Sequence, residues 1–401
     1  METKRSSYSR TQLFINQLDE FMRDRYVFRK NLLKGDTEYR CREMPSGLFE
    51  PVNEEAVNSI CIGAQAAGIE AWDRDIKRFI YSARTQAYNP IEDFLDNLPA
   101  WDGKDRIRPL AETLPTANPL WREQFYIWFL GMVAQWQQQD TLYGNCIVPL
   151  LVGPQGCGKS TWCRTLLPPV LREYMAESPD IGNHREAELA LGRFVLVNLD
   201  EFDSIGNTQQ AFLKHLLQKP VVNTRMAYAR SIRTHRRYAT FIATCNNWDL
   251  LADPTGSRRF VCIEINGNIR PDRSVEYGQL YAQAVAALRA GERYWFTTEE
   301  ETRNMQNNSQ FQQMPIEEQL FLQYFCKPEE GFAGEWLPSS AILLRMREQS
   351  GVRLGNTHMG LFGRILLRNG IAHKHTKRGN LWFVANAGQR QTVEGEGIQK
   401  G

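Results

Sequence analysis

The strongest constraint on the fold is an eight-residue stretch between an apolar run and a helical one. Residues 153–160 read GPQGCGKS and fit the pattern G-x-x-x-x-G-K-[ST]. The preceding residues, 146–152, form a continuous apolar, β-branched run, and residues 161–167 have helical character. A phosphate-binding loop requires this context of buried strand, loop and helix. A chance glycine-rich turn therefore explains the match poorly.

The residue types in this stretch suit the binding of nucleotide phosphates. Gly156 and Gly158 allow backbone N–H groups to turn toward a phosphate. Lys159 reaches the β- and γ-phosphates, Ser160 offers a hydroxyl to Mg²⁺, and the helix N-terminus adds its dipole. The predicted nucleotide-binding residues are Gly153, Pro154, Gln155, Gly156, Cys157, Gly158, Lys159, Ser160 and Thr161.

Three further apolar runs, residues 193–199, 238–245 and 260–265, alternate with helical stretches. This pattern predicts an α/β fold whose mainly parallel sheet carries helices on both faces. Asp200 and Glu201 follow the first of these runs. We expect Asp200 to hold Mg²⁺ with Ser160, and Glu201 to polarise a water for attack on the γ-phosphate. The alternative is an acidic cap after a strand.

Polar residues also flank the last two runs. Asn246 follows the strand predicted over 238–245, where it faces the ligand crevice of an open sheet and can orient the attacking water. Asn247 is the weaker candidate. Arg258 and Arg259 lie on a turn just before the last run. Such an arginine can serve a neighbouring subunit as a finger that neutralises transition-state charge. A solvated surface pair is the alternative.

Composition limits the class of protein. The 401 residues are 42% apolar and 23% charged, as in soluble globular proteins, and the net charge of +2 makes any polyanion-binding surface a local one. The eight cysteines include no CxxC pair and no zinc spacing, which predicts reduced thiols in a cytoplasmic protein. The first residues are polar, and no apolar stretch approaches the roughly 20 residues of a membrane helix. We therefore expect neither secretion nor membrane insertion.

Periodicity divides the chain into four predicted regions. Residues 1–110 read as a helical N-terminal domain, a candidate oligomerisation collar, with one helix beginning at Asn53. Residues 111–300 form the P-loop ATPase core. Residues 315–387 form a winged-helix-like domain, because helices at 339–349 and 358–369 precede a hairpin over 371–384. The tail, 388–401, has the composition of a disordered segment.

The motifs together resemble those of the superfamily-three helicases. Within them, the chain resembles the virulence-associated protein E family of phage and mobile-element ATPases. WDGKDR at 101–106 resembles that family's "WDG…R" signature, and residues 355–364 resemble a domain that follows this ATPase in Bacteroidetes proteins. The resemblance rests, in chain order, on the phosphate loop (153–160), Asp200-Glu201, a basic stretch (225–237), a strand ending at Asn246 and a Gly-x-Arg-Arg-Phe element (256–260).

The resemblance implies an AAA+-type core that uses ATP and Mg²⁺, assembles as a ring, expected to be a hexamer, and acts on DNA in the replication of a phage or mobile element. Family members often carry a primase domain upstream. No primase-like carboxylate pattern is found in this sequence, so we do not expect priming by these residues, and a separate primase is a candidate partner.

The resemblance also gives a role to the arginines ahead of the third apolar run. In these helicases a hairpin at this position points into the ring pore, where cations grip phosphates and an aromatic ring can stack on a base. The alternatives are that some of these arginines bind the nucleotide of an adjacent subunit, or that they form structural ion pairs. The predicted contacts with single-stranded DNA are Arg225, Tyr228, Arg230, Arg233, Arg236 and Arg237. The predicted contacts with duplex DNA, in the C-terminal domain, are Arg364, Arg368, Lys374, Lys377 and Arg378.

Three functions fit these predictions. The first is a ring-forming DNA translocase or helicase. The second is an ATPase switch that loads or regulates replication or host proteins without processive unwinding. Stimulation of ATP turnover by single-stranded DNA separates the two. The third, a small-molecule kinase, is the weakest, because Glu201 and the arginine pair suit hydrolysis within a ring.

Overall fold

The structure is a computed structural model. It describes residues 9–44, 47–139, 144–224, 233–248, 251, 257–270, 274–311, 314–328, 334–352, 354, 359–376 and 379–387. These residues form two compact units. The first contains the described residues up to 248 and those from 257 to 310, and the second contains residue 251 and those from 311 onward. The predicted tail, 388–401, lies outside the described residues.

The first unit begins with a small sheet surrounded by helices. Its elements are α1 (Arg10–Arg25), β1 (Tyr26–Asn31), β2 (Thr37–Cys41), β3 (Glu50–Pro51), α2 (Glu54–Ala66), α3 (Asp73–Ile80), β4 (Gln86–Tyr88) and α4 (Pro90–Asp96). The strand order is β3-β2-β1-β4, with β1 antiparallel to β2 and parallel to β4. The prediction of a helical N-terminal region with a short extended interruption at 40–42 and 47–49 therefore misses most of this sheet.

The reason for this error lies in contacts between residues that are distant in sequence. Phe28 of β1 pairs directly with Tyr39 of β2, and their stacked rings lie 6.2 Å apart. Such cross-strand aromatic pairs stabilise a sheet, but local periodicity does not register them. The predicted start of a helix at Asn53 is confirmed. Its side chain accepts a hydrogen bond of 2.8 Å from the N–H of Ala56, as an N-cap does.

The remainder of the first unit is built on a larger, parallel sheet. Its elements are α5 (Ile107–Glu112), α6 (Trp121–Trp136), β5 (Val148–Val152), α7 (Lys159–Thr165), β6 (Met175–Glu177), α8 (His184–Arg193), β7 (Leu196–Leu199), α9 (Asn207–Gln218), β8 (Val221–Thr224), β9 (Arg233–Arg236), β10 (Thr240–Cys245), β11 (Phe260–Glu264), α10 (Tyr277–Arg289) and α11 (Thr298–Asn308). The strand order is β11-β5-β10-β7-β6, and every neighbouring pair is parallel. The four predicted strands correspond to β5, β7, β10 and β11, whereas β6 was missed.

Helix α6 supports this sheet. Residues from Gln124 to Trp136 are all buried, which requires a sequence that is apolar on every side of the helix. The two tryptophans that face the sheet also satisfy their indole donors. Trp128 donates to the carbonyl of Phe241, and Trp136 donates to that of Val195, each at 3.2 Å. A buried aromatic helix thus fixes the strands whose carboxyl ends carry the candidate site.

The antiparallel pair β8–β9 lies just ahead of β10. Its register joins Val221 to Arg236 and Thr224 to Arg233. The connecting residues, 225–232, lie outside the described part of the chain. Their predicted place in a pore is therefore neither confirmed nor contradicted.

The second unit combines helices with a small antiparallel sheet. Its elements are α12 (Ile316–Tyr324), β12 (Phe325–Cys326), β13 (Glu335–Pro338), α13 (Ser339–Ser350), α14 (Met359–Arg368), β14 (His373–Thr376) and β15 (Gly379–Asn386). The predicted helices correspond to α13 and α14, and the predicted hairpin corresponds to β14–β15. β13 adds a strand on the other side of β15. No helix in the described ranges is both long enough and apolar enough to cross a lipid bilayer.

Candidate nucleotide site

The predicted phosphate loop connects β5 to α7, as the motif requires. Gly156 and Gly158 have φ angles of 79° and 98°, in the left-handed region that favours glycine. A Cβ atom on Gly158 would lie 3.1 Å from the carbonyl oxygen of Ile269, and one on Gly153 would lie 2.9 Å from the Ile265 side chain. The glycines therefore provide both the turn and the close packing that leave the loop backbone open to a ligand.

Lys159 lies at the first position of α7 and is nearly buried. Its Nζ donates to the carbonyls of Gly153 at 2.7 Å and Pro154 at 2.8 Å, and to Oδ1 of Asn246 at 3.1 Å. The Cys157 Sγ is 3.7 Å from the same nitrogen. The ammonium group is thus held inside the loop, and it joins the loop to the end of β10.

Asp200, directly after β7, collects hydroxyl groups from two other elements. Ser160 Oγ lies 3.3 and 3.2 Å from its two carboxylate oxygens. Thr244 Oγ1, near the end of β10, also donates to Asp200. Thr244 is a polar residue within an apolar run, and this was the available signal that sequence reasoning missed. Hydroxyl and carboxylate oxygens are suitable ligands for Mg²⁺.

Glu201 is one of the few described residues other than glycine with a positive φ, at 53°. Its N–H donates to Asp200 Oδ1 at 3.3 Å, and its side chain is exposed. The next residue, Phe202, is fully buried and anchors the turn. A left-handed non-glycine residue costs roughly 1–3 kcal/mol and often marks a functional site. The catalytic role of Glu201 stays a prediction.

The two asparagines after β10 point to different partners. Asn246 accepts from Lys159, whereas Asn247 donates from Nδ2 to Asp203. The register aligns Cys245 with Val152 of β5, so β10 ends beside the start of the phosphate loop. Asn246 is therefore the asparagine that meets the loop, in agreement with the preference stated from sequence.

Arg258 and Arg259 lie just before the amino end of β11, whereas the phosphate loop follows the carboxyl end of the neighbouring strand β5. Phe260 pairs with Val148, while Glu264 pairs with Val152, next to the phosphate loop. Four strand residues, about 13 Å, separate the arginine turn from the loop of the same chain. The arginine turn and the phosphate loop of one chain therefore lie at opposite ends of the paired strands β11 and β5.

The arginine pair borders a cavity of about 840 Å³ at this edge. Glu301 of α11 also lines the cavity, and its carboxylate lies 3.8 Å from the Arg258 guanidinium. The Arg258 side chain is 48% exposed, so this ion pair is open to solvent and exchangeable. Arg259 is half-buried. Arg258 is therefore the more accessible of the two arginines.

Comparison with protein families assigns most of this unit. The model of the virulence-associated protein E-like domain matches residues 95–313, which is more than half of the chain. The chain belongs to this family. A second model, a domain of unknown function described from a B. theta gene, matches residues 314–384 of the VapE-like chain. A search of curated proteins found no match to the chain.

Solved structures give weaker likenesses to the VapE-like chain. The apo structure of the NrS-1 C terminal region covers 92% of this chain and 98% of its own, at 10% identity and a TM-score of 0.47. C. elegans PCH-2 covers 51% and 57%, at 17% identity and a TM-score of 0.24.

The WDGKDR turn of the VapE-like domain has a structural role. Arg106 makes two hydrogen bonds to the Asp102 carboxylate, at 2.7 and 2.8 Å, and a third to Glu276 at 2.7 Å. Its backbone N–H donates to Gln283 of α10 at 2.7 Å. The hydrogen bonds from Arg106 hold the pKa of Asp102 well below its usual value. The motif thus connects the N-terminal residues of the domain to α10.

Arg237 is fully buried, which contradicts its predicted role in DNA binding. Its side chain is 0% exposed and donates to the carbonyls of Leu217, Lys219, Asn145 and Ala239 at 2.7–3.0 Å. Burial lowers its pKa to about 10. Four backbone acceptors explain why the cation is tolerated there, and sequence alone does not reveal them.

The other predicted DNA contacts differ in availability. Arg236 is exposed and pairs with Glu92 at 2.8 Å, as the ion-pair alternative predicted. Arg233 lies in β9. Outside the described residues are Arg225, Tyr228, Arg230, Lys377 and Arg378.

In the C-terminal unit the described cations also differ from one another. Arg364 is exposed on α14. Arg368 is paired with Glu318, whose side chain is only 5% exposed, so it neutralises a buried acid. Lys374 Nζ lies 4.0 Å from the centre of the Trp336 ring, in a cation–π contact. Arg364 and Lys374 are the described cations best placed to meet a phosphate.

Proposed function

We propose that the chain is an Mg²⁺-dependent ATPase that hydrolyses ATP to ADP and phosphate. The observation that carries the proposal is the meeting of three groups at one sheet edge. Lys159 is bonded to Asn246, and Ser160 and Thr244 are bonded to Asp200. Loop, acid and amide are the parts that phosphoryl-transfer sites of this kind use.

The roles follow from the chemistry of each group. The backbone and side chains of residues 153–161 would hold the phosphates, with Lys159 as the cation nearest the γ-phosphate. Mg²⁺ would be held by Ser160 and Asp200 and would neutralise charge on the β- and γ-phosphates. Asn246 would orient the attacking water, and Glu201 would accept its proton.

Replacing Glu201 by glutamine tests the hydrolytic half of the proposal. The variant should bind ATP·Mg²⁺ as the wild type does but hydrolyse it about 10²–10⁴ times more slowly, since a general base contributes that much. Nucleotide binding by calorimetry and phosphate release measure the two quantities. Glu186→Gln, an exposed acid on α8, is the matched control and should turn over normally. Full turnover by Glu201→Gln would remove Glu201 from the mechanism.

We further propose an AAA+-type ring, in which Arg258 or Arg259 completes the site of a neighbouring subunit. Their position at the sheet edge away from their own phosphate loop supports action in trans. With the family membership, the ring favours DNA translocation or unwinding in replication of a phage or mobile element, with a separate primase as a partner. The alternative remains an ATPase switch. A rise in ATP turnover on adding single-stranded DNA favours the translocase, and no response favours the switch.

The C-terminal unit is proposed as a winged-helix-like module that binds duplex DNA. Its support is the succession of α13, α14 and the β14–β15 hairpin, with exposed cations on the last two elements. Substituting both Arg364 and Lys374 by alanine in the full chain should reduce the slope of log affinity against log salt by about 1.8, because each lost phosphate contact removes about 0.9. Fluorescence anisotropy with a labelled duplex gives the slope.

Arg345→Ala is the control for this test, since Arg345 is paired with Glu335 in the same unit. It should leave the slope near that of the wild type. An unchanged slope in the double variant would instead assign the basic surface to solvent or to a protein partner.

A further inference from the structure

Helix α11 covers the edge strand β11 in an unusual way, through side-chain amides. Asn304 and Asn308 each donate to the carbonyl of Phe260 at 2.7 Å. Asn308 also accepts from the N–H of Cys262 at 3.2 Å, and Asn307 donates to the carbonyl of Cys262 at 3.1 Å. The amides therefore satisfy backbone groups that a further strand would otherwise pair.

The spacing explains why a helix can replace a strand here. Four helical residues rise about 6 Å, and two strand residues advance about 6.6 Å. Asn304 and Asn308 consequently stay in step with Phe260 and Cys262. Both asparagines are 0% exposed, so their bonds form in a water-excluded environment where an unmade bond is costly.

Asn304 reaches beyond the strand to the arginine turn. Its Nδ2 also donates to the carbonyl of Arg258 at 3.3 Å, and its Oδ1 accepts from Gln124 of α6 at 3.3 Å. The bond from Gln124 fixes the orientation of the amide, so that the NH₂ group faces the turn. The backbone of Arg258 is thereby tied both to α11 and, through Gln124, to the buried helix α6.

Glu301 lies one helical turn before Asn304, on the same face of α11. Its carboxylate is 3.8 Å from the Arg258 guanidinium. One face of one helix thus holds both the main chain and the side chain of Arg258. Since the Arg258 side chain is 48% exposed, the pair with Glu301 is weak enough to give way to a phosphate.

We infer that Asn304 is a positioning residue for Arg258, and that α11 thereby selects Arg258 rather than Arg259 as the group that acts on a neighbour's nucleotide. The inference rests on the proposed function. A finger contributes only when its guanidinium is held in the productive place, and a displacement of about 1 Å can cost about 10²-fold. Loss of the Asn304 amide frees the turn without altering the phosphate loop.

The test compares Asn304→Ala with Asn307→Ala in the full chain. Asn307 bonds to the same strand from the same helix, but two strand residues farther from Arg258. We expect Asn304→Ala to lower kcat at least about 10-fold, within the range for a misplaced group, with unchanged ATP affinity. Mixing it with Lys159→Ala subunits should restore activity. Asn307→Ala should lower the melting temperature and leave kcat unchanged.

A wild-type kcat in Asn304→Ala, or an equal loss of kcat in both variants, overturns the inference. Should Asn304→Ala fail to fold, Gln124→Leu replaces it. Leucine removes the donor to Asn304 Oδ1 and also a buried Oε1 that has no hydrogen-bond partner within the described chain, so it should cost less stability than Asn304→Ala, which removes every bond of that amide. It should still lower kcat through the freed Asn304 amide, and an unchanged kcat overturns the inference.

The controls separate this inference from the function on which it rests. Turnover by Lys159→Ala would remove the ATPase itself. Normal turnover by Arg258→Ala would remove the finger. If both of those variants behave as proposed and Asn304→Ala is normal, only the positioning role is lost.

Discussion

Lys159→Ala should abolish ATP turnover. The substitution removes the cation that the loop holds beside Asn246, and with it the main positive charge available to the γ-phosphate. In other enzymes, loss of a single preorganised hydrogen-bond donor lowers the rate by about 10²–10³, and loss of the full positive charge of Lys159 should lower it at least as much. Phosphate release at saturating ATP and Mg²⁺ is the measurement.

The control for this substitution is Lys30→Ala, which removes an exposed lysine from β1. It should keep wild-type turnover. Thermal unfolding of both variants verifies that they are folded. Undiminished hydrolysis by folded Lys159→Ala would show that the nucleotide reacts elsewhere.

Arg258→Ala should bind ATP normally and hydrolyse it slowly. A finger in phosphoryl transfer contributes about 10³–10⁵ in rate, so even a tenth of that effect is readily measured. Because the arginine turn and the phosphate loop of one chain lie at opposite ends of the parallel strands, the defect should be complemented in trans. Mixing with Lys159→Ala subunits brings together an intact finger and an intact loop and should restore part of the activity.

Arg259→Ala is the matched control for Arg258→Ala. It removes the neighbouring, half-buried guanidinium and should slow turnover less. A solvated arginine pair predicts no rate loss in either variant, and an arginine acting within its own subunit predicts no rescue. A chain that stays monomeric with ATP and DNA present would rule out the ring.

The parallel sheet and the phosphate loop could be predicted from sequence because their signals are local. A strand buried on both faces is apolar throughout, and the residue that ends it is exposed to the crevice. Asp200, Glu201 and Asn246 are predicted in this way. Their distances to Ser160 and Lys159 needed the fold.

The features that were missed depend on partners distant in sequence. Tyr39 stabilises β1 only because the chain returns beside it, and Arg237 is buried only because backbone carbonyls from two other segments converge on it. The asparagines of α11 carry a readable helical spacing, at 304, 307 and 308. That spacing does not predict that their side chains bond to the backbone of β11.

The C-terminal cations show the same limit. Arg364 and Arg368 are one helical turn apart and look equivalent in the sequence. In the fold, Arg368 is committed to the buried Glu318, whereas Arg364 faces solvent. A basic stretch in the sequence therefore predicts a positively charged surface, and the contacts in the fold show which of its side chains are already paired with an acid.

The most direct test of the central claim is the structure of Glu201→Gln determined with ATP and Mg²⁺, in which slow hydrolysis keeps the triphosphate intact. The account predicts phosphates on the backbone of residues 153–161, Lys159 Nζ at the γ-phosphate, and Mg²⁺ held by Ser160 and Asp200. A nucleotide bound elsewhere on the chain, or a loop that stays empty at saturating ATP, would contradict it.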